Sequence, residues 1–253
     1  MDGIYRQQDR PLSENMYVAV AIGEPSANQR HTGVFFRFNA TDTHEFLHLA
    51  WHCRLVRESP ESDFLWVDPA IPSRRLKQVA AICDAIASAN APDQIPYSFS
   101  PPNDCFDEHD CTFLLGPTRT GLTCASFVLA VFHRAGLQLI KYETWPKPTQ
   151  EDKEWQRHIL AILQSQQLKP HTLVTQEHIK CVQSEVGNSA RYRPEHVAAA
   201  TIKCRSSPVR HQCALRLGVM IVAYIREEPI GLRMNWWARL RMALSCWMSR
   251  RFP

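Results

Sequence analysis

Alternating apolar and polar residues predict a group of short strands in the first part of the chain. From residue 32 to residue 38 the side chains Thr32, Val34, Phe36 and Phe38 share one face, at the two-residue period of a strand. The run from Glu45 to Cys53 repeats this period, with the apolar side chains on one face and histidines on the other. The same reasoning predicts strands at 15–22 and 64–67.

Apolar residues three and four positions apart predict helices further along the chain. The clearest helix begins at Cys124 and ends at Gly136, because glycine readily adopts the backbone conformation that terminates a helix. Its apolar face consists of Phe127, Val128, Val131, Phe132 and Ala135. Further helices are predicted at 74–89 and 151–166, and Pro194 is placed to begin another.

Cys124 stands in the first turn of its predicted helix. There, unpaired backbone N–H groups and the positive end of the helix dipole favour thiolate over thiol. The sequence therefore predicts a cysteine whose pKa is lowered, as in thiol nucleophiles. The alternative is that Cys124 is a small buried residue of the core, because unpaired cysteine is among the most buried residue types.

Histidines on the two predicted neighbouring strands supply a candidate base. His31 begins the first strand, and His48 lies on the second, where it can approach His31 as a cross-strand partner. A second imidazole at that position can orient the first, which is the role of the third member of a catalytic triad. The alternative is a solvated strand face, and for His44 and His52 we prefer that interpretation.

Three short strings in a fixed order connect these residues to a known family. The strings are His31-Thr-Gly-Val-Phe-Phe, Phe-Leu-His48-Leu-Ala and Thr-Cys124-Ala-Ser-Phe-Val. Their order resembles the circularly permuted papain-like group that includes lecithin-retinol acyltransferase and its phospholipid-acting relatives, and that is related to NlpC-type peptidases. The resemblance covers roughly residues 15 to 137. It implies that Cys124 is the nucleophile, His31 the general base and His48 the polarising third residue.

The resemblance also implies the fold. We expect an α+β, papain-like (permuted NlpC-type) structure in which a small antiparallel sheet packs on helices and the nucleophile helix lies against the sheet. The chain departs from the family pattern in the long separation of His31 and His48, which requires an enlarged turn at 39–43, and in Thr123, where many relatives carry Asn or Asp. The backbone N–H of Cys124 is expected to contribute to an oxyanion hole.

The predicted function is acyl transfer by a cysteine enzyme. It hydrolyses an amide (peptide-like) or ester bond through a thioester on Cys124, and no cofactor is expected. The substrate is a peptide, another amide or an acyl lipid. Two alternatives stay open: a phospholipid or acyl-lipid acyltransferase, and a catalytically inactive papain-like binding module.

The charge distribution distinguishes the C-terminal part of the chain. Residues 191–253 carry twelve Lys and Arg residues and three Glu residues. We expect a catalytic core at 1–145 and a mainly helical, basic extension at 146–253, packed on the core as one unit. Basic residues surround an apolar helical stripe in this extension, which predicts contact with an anionic partner or a membrane surface; the alternative is packing on the protein's own core. The stripe consists of Leu232, Trp236, Leu240, Leu244 and Trp247.

Composition excludes several broad classes of protein. With 45% hydrophobic residues the chain is neither disordered nor fibrous. Its longest apolar run, 217–225, is about half of what a bilayer requires. The N-terminus has no export signal and the nine cysteines have no framework spacing, so a cytoplasmic protein is predicted, with peripheral membrane contact as an alternative.

The sequence favours neither a metal site nor a nucleic-acid partner. Cys105, His109 and Cys111, with His211 and Cys213, have the donor types of a tetrahedral zinc site, but Cys-x5-Cys is not a common zinc spacing. A solvated loop is preferred there, and no metal is predicted. No zinc-finger spacing or RNA-binding string is present, so nucleic acid is not a predicted partner.

Overall fold

The computed structural model of the protein describes residues 3–26, 28–39, 42–60, 63–114, 121–205 and 207–227. Within these residues the chain forms an α+β fold with one six-stranded sheet and six α-helices. The strands are β1 (Ile4–Arg6), β2 (Val18–Ser26), β3 (Gln29–Phe36), β4 (Glu45–Trp51), β5 (Arg54–Glu58) and β6 (Leu65–Val67). The helices are α1 (Ser73–Ala89), α2 (Cys124–Arg134), α3 (Gln150–Gln167), α4 (Gln176–Glu185), α5 (Pro194–Lys203) and α6 (His211–Ile225).

The sheet has the strand order β1-β6-β2-β3-β4-β5, and each neighbouring pair is antiparallel. This arrangement confirms the predicted α+β class and the small antiparallel sheet. It also places β3 and β4 side by side, with Val34 opposite Leu47 and Phe35 opposite Phe46. The strand that carries His31 begins at Gln29, two residues earlier than the sequence predicted.

The two faces of the sheet bury different side chains, because successive residues of a strand point to opposite sides. One face carries Val20, Val34 and Leu47 into the main hydrophobic cluster, which the helices complete. The other face carries Phe35 and Phe46, which pack in a smaller cluster with aromatic residues of the β6 region. Helix α2 packs on β3 and β4, so the predicted nucleophile helix lies against the sheet.

Residues of the predicted C-terminal extension enter the main hydrophobic cluster. Ile159 of α3, Val197 of α5 and Ile221 of α6 belong to the same cluster as the strands. The predicted boundary between 1–145 and 146–253 stays a prediction. The apolar stripe predicted at 232–247 lies outside the described residues, as does part of the turn at 39–43. None of the helices in the described ranges has the length and apolar character needed to cross a membrane.

Candidate functional site

A reciprocal pair of hydrogen bonds fixes the start of helix α2 at Cys124. Oγ1 of Thr123 accepts from the backbone N–H of Ser126 at 3.1 Å, and Oγ of Ser126 accepts from the backbone N–H of Thr123 at 2.7 Å. This capping box satisfies two N–H groups that the first turn of a helix leaves unpaired. The local sequence Thr-Cys-Ala-Ser therefore places Cys124 at the first helical position, as predicted.

The environment of the Cys124 thiol differs from the prediction. The side chain is only 7% exposed, and burial raises the pKa of the thiol to about 11. Backbone N–H groups of Thr32, Ala125 and Cys124 itself act in the opposite direction, because they stabilise the thiolate. The expected lowering of the pKa is wrong, since the loss of hydration outweighs the donors at the helix start.

His31 and His48 are in direct contact across strands β3 and β4. Nε2 of His31 lies 2.7 Å from Nδ1 of His48, and the two rings meet edge to face with centroids 4.9 Å apart. Phe46 stacks on His48 with centroids 4.2 Å apart and an interplanar angle of 6°, which holds the His48 ring in place. The structure therefore brings together the two histidines that the strand periods assigned to one site.

Gly33 makes this approach of the two strands sterically feasible. A Cβ atom at Gly33 would lie 2.6 Å from Cβ of His48, 2.6 Å from Cε2 of Phe46 and 2.8 Å from the carbonyl oxygen of Leu47. Side-chain movement alone cannot relieve contacts this short, because one of the neighbours is a backbone oxygen. The glycine of the His-x-Gly string is thus required by the packing of His48 against β3.

Glu58 extends the pair of histidines to a chain of three side chains. Its Oε1 lies 2.8 Å from Nε2 of His48. A carboxylate only accepts hydrogen bonds, so Nε2 of His48 carries the proton and Nδ1 of His48 accepts from Nε2–H of His31. This assignment leaves Nδ1 of His31 as the unprotonated nitrogen, the one able to take up a proton.

Sequence reasoning missed Glu58 because it did not predict strand β5. The position of Glu58 would have indicated its role once β5 was known. Val56 pairs with His48, and Glu58 is two residues further along the strand, on the same face. The side chain is 38% exposed, so the carboxylate is the solvent-facing end of the chain of hydrogen bonds.

Burial keeps both histidines neutral near pH 7. It lowers the pKa of His31 to about 3, with a smaller contribution in the same direction from His48. It also lowers the pKa of His48 to about 4, and the Arg54 guanidinium adds to that effect. In the resting state both imidazoles and the Cys124 thiol are therefore neutral, and there is no thiolate–imidazolium pair.

The three predicted site residues line one cleft of about 520 Å³. His31 and His48 reach it from the sheet, and Cys124 reaches it from the start of α2. Among the described residues, however, no hydrogen bond joins the sulfur of Cys124 to His31. His31 and His48 lie on the sheet face that carries Phe46, whereas α2 packs on the opposite face.

No family model, curated protein or solved structure matches this chain.

The interpretation of His52 as part of a solvated strand face is wrong, and His44 is half-buried. His52 is buried, and its Nδ1 accepts from the backbone N–H of Tyr97 at 3.2 Å, while its Nε2 lies 3.3 Å from the carbonyl oxygen of Leu173. A ring nitrogen of His44 lies 2.8 Å from the carbonyl oxygen of Met16. Both side chains hold loops against the sheet, and His52 fixes the segment that places Tyr97 in the cleft.

His133 and the candidate metal ligands of the sequence are not among the residues that line the cleft. His133 is on the far side of α2 from Cys124, as the helical period predicted, and its Nε2 lies 3.2 Å from Oδ1 of Asp104. In the part of the chain that the structure describes, no three His, Cys, Asp or Glu side chains are grouped so that they could hold a metal ion.

Proposed function

We propose that the protein is a cysteine-dependent acyl-transfer enzyme with a permuted papain-like (NlpC-type) architecture. It cleaves an amide or ester bond through a thioester on Cys124. One observation carries this proposal: Cys124, at a helix start, lines the same cleft as a histidine whose protonation is set by His48 and Glu58. Nucleophile, base and orienting groups are the three parts that covalent acyl transfer requires.

The proposed reaction starts from the neutral thiol and imidazole. Nδ1 of His31 takes the proton from Sγ of Cys124 as the sulfur attacks the substrate carbonyl carbon. The bond to the leaving nitrogen or oxygen then breaks, and His31 returns the proton to that atom. Water attacks the thioester, His31 takes one water proton, and the thiol leaves protonated as the carboxylic acid forms. Once the sulfur has attacked, the backbone N–H of Cys124, which otherwise acts on the thiol, donates to the oxyanion in both steps.

His48 and Glu58 support the charged form of His31 during the reaction. When His31 holds the extra proton, its Nε2–H donates to His48, which in turn donates to the Glu58 carboxylate. The resting protein has no hydrogen bond between His31 and Cys124, so the proposal requires the two side chains to approach when a substrate occupies the cleft. Catalytic hydrogen bonds often tighten only in the substrate complex.

A catalytically inactive binding module is the second candidate, and a specific observation favours it. Cys124 is buried, its pKa is raised, and it makes no hydrogen bond to His31. In that case the cleft binds a ligand, and Cys124 only packs at the helix start. An acyltransferase differs from a hydrolase in the acceptor alone, since an amine or hydroxyl group then replaces water in the second step.

Acyl-enzyme trapping separates these candidates. We expect p-nitrophenyl acetate to acetylate Cys124 within one turnover, and mass spectrometry of the intact protein and its peptides will show the adduct. Hydroxylamine should remove it, as it removes thioesters. Cys124→Ala should abolish the adduct, whereas Cys213→Ala, which removes an exposed cysteine on α6, should keep it. Absence of an adduct on Cys124, or labelling that equals that of Cys213, would favour the binding module.

A further inference from the structure

Helix α3 forms an apolar wall beside the candidate site. Trp155, Ile159 and Ile162 lie at three- and four-residue spacing on one face of α3, and all three line the cleft. Trp51 and Tyr97 line it as well, with ring centroids 4.7 Å apart. Helix α3 belongs to a part of the chain that the family resemblance does not cover.

Hydrogen bonds at both ends of α3 hold the wall in place. A capping box between Thr149 and Asp152 fixes the first turn. At the other end, Nε1 of Trp51 donates to Oε1 of Gln166 at 2.9 Å, which ties the helix to strand β4. The wall is therefore formed before any ligand binds, so its apolar surface does not have to be ordered on binding.

The charged groups that line the cleft are already neutralised. Arg30 donates to Glu195 at 2.8 Å, and Arg191 lies 3.3 Å from Asp152 while its guanidinium covers the Trp155 ring at 4.1 Å. Among the described residues that line the cleft there is no Asp or Glu side chain. A cationic substrate group thus has no carboxylate partner among these lining residues, whereas an uncharged apolar group can pack on the side chains of α3.

We propose that the α3 wall binds an extended apolar acyl group, so that the preferred substrates are esters or amides of medium-chain aliphatic acids. The cleft of about 520 Å³ exceeds what an acetyl group fills and lies within the range of sites that enclose small-molecule ligands. Because Cys124 lines the same cleft, the carbonyl carbon reaches the sulfur while the chain lies along Ile159 and Ile162. Transfer of the bound aliphatic chain as an acyl group rests on the proposed function, whereas binding of that aliphatic chain does not.

The dependence of kcat/KM on acyl-chain length tests directly whether the α3 wall contacts the acyl group. With p-nitrophenyl acetate, butyrate, hexanoate and octanoate, kcat/KM should rise by up to about fourfold for each buried methylene until the wall is covered. Ile162→Trp should fill this space and reduce the octanoate-to-acetate ratio of kcat/KM at least tenfold. Ala161→Trp is the matched control, because Ala161 is an exposed neighbour on the same helix, and the ratio should not change.

A binding measurement tests the wall without catalysis. In the Cys124→Ala background, 11-(dansylamino)undecanoic acid should bind with a blue shift of its fluorescence, and octanoate should displace it. Ile162→Trp should weaken this binding at least tenfold, and Ile162→Gln, which keeps the side-chain size and a helix-forming residue, should weaken it as well. Circular dichroism establishes that each variant is folded.

The outcomes separate the two proposals. Probe binding that depends on residue 162, without esterase activity, supports the wall and contradicts the proposed function. Esterase activity that needs Cys124 but has the same octanoate-to-acetate ratio of kcat/KM in Ile162→Trp and Ala161→Trp contradicts acyl binding by the α3 wall. It leaves the proposed function supported. Probe binding that is absent, or equal in all variants, contradicts chain binding by the α3 wall, whatever the result of the ester kinetics.

Discussion

Nε2 of His31 lies 2.7 Å from Nδ1 of His48, although seventeen residues separate them in the chain. The antiparallel pairing of β3 with β4 brings the two rings together, and Glu58 on β5 determines which nitrogens carry protons. The only placement of protons that satisfies both hydrogen bonds leaves Nδ1 of His31 free to accept a proton. The direction of these hydrogen bonds thus makes Nδ1 of His31 the nitrogen that would act as base in the proposed mechanism.

The carboxylate of Glu58 should matter for activity even though it lies furthest from the reacting thiol. We expect Glu58→Ala to lower kcat/KM for p-nitrophenyl esters about tenfold, less than the roughly 100- to 10,000-fold expected for losing the general base in His31→Ala. Glu58→Gln retains an acceptor for Nε2–H of His48 and should recover part of the loss. Glu45→Gln is the control, because Glu45 binds Arg57 instead of a site histidine. Equal activity of Glu58→Ala and Glu45→Gln would show that Glu58 has no part in orienting His48.

Gly33 should be needed for both stability and activity. An added Cβ meets His48, Phe46 and backbone at under 3 Å, so Gly33→Ala should lower the free energy of unfolding by about 1–3 kcal/mol and displace the His48 ring. Gly187→Ala is the comparison: Gly187 has φ of 77°, so alanine there introduces strain away from the site. Urea denaturation and esterase kinetics on the folded variants measure the two effects. We expect both variants to lose stability and only Gly33→Ala to lose kcat/KM.

The positions of Cys124, His31 and His48 could be predicted because local signals determine them. The residues Thr123 to Ser126 form their own capping box, so the helix start depends on four consecutive residues. The period of two in β3 and β4 assigns His31 and His48 to the same side of the sheet. Helices α1, α2 and α3 and the Pro194 start of α5 followed from the same kind of local pattern.

The features that could not be predicted depend on contacts between distant segments. The Cys124 thiol is buried next to Thr32 of β3, more than ninety residues earlier in the chain. The partner of His52 in the loop after α3, Leu173, is 121 residues away. Strand β5 was missed because it is a short edge strand with three charged residues out of five, which hides the period of two. Local sequence properties therefore indicated a solvated His52 and a lowered pKa for the Cys124 thiol. Tertiary packing instead buries His52 and raises the pKa of that thiol.

Buried neutral histidines should make the protein sensitive to acid. Burial and the nearby His52 lower the pKa of His178 to about 4, and its Nε2–H donates to the carbonyl oxygen of Tyr97 at 3.0 Å. The unfolded chain binds this proton near pH 6.5, so stability is full above that pH and is lost as the pH falls from about 6.5 to 4.

His178→Gln should reduce this pH dependence. The contribution of one histidine to the slope is at most about 1.4 kcal/mol per pH unit. Urea denaturation at several pH values between 4 and 7 measures the slope, and His158→Gln, an exposed position on α3, is the control. We expect a smaller slope for His178→Gln and the wild-type slope for His158→Gln. Identical slopes in all three proteins would contradict the assignment of His178 as a buried neutral group.

The rate of alkylation of Cys124 by iodoacetamide tests the central claim most directly, because it reports whether His31 activates this thiol. The rate at pH 7 is measured by peptide mass spectrometry in the wild type, in His31→Ala and in His133→Ala, which changes the far side of the same helix; the exposed Cys213 is the internal reference. We predict that His31→Ala slows alkylation of Cys124 at least tenfold, while His133→Ala and the rate at Cys213 do not change. If Cys124 reacts at the same rate with and without His31, His31 is not its base and the enzyme proposal is contradicted.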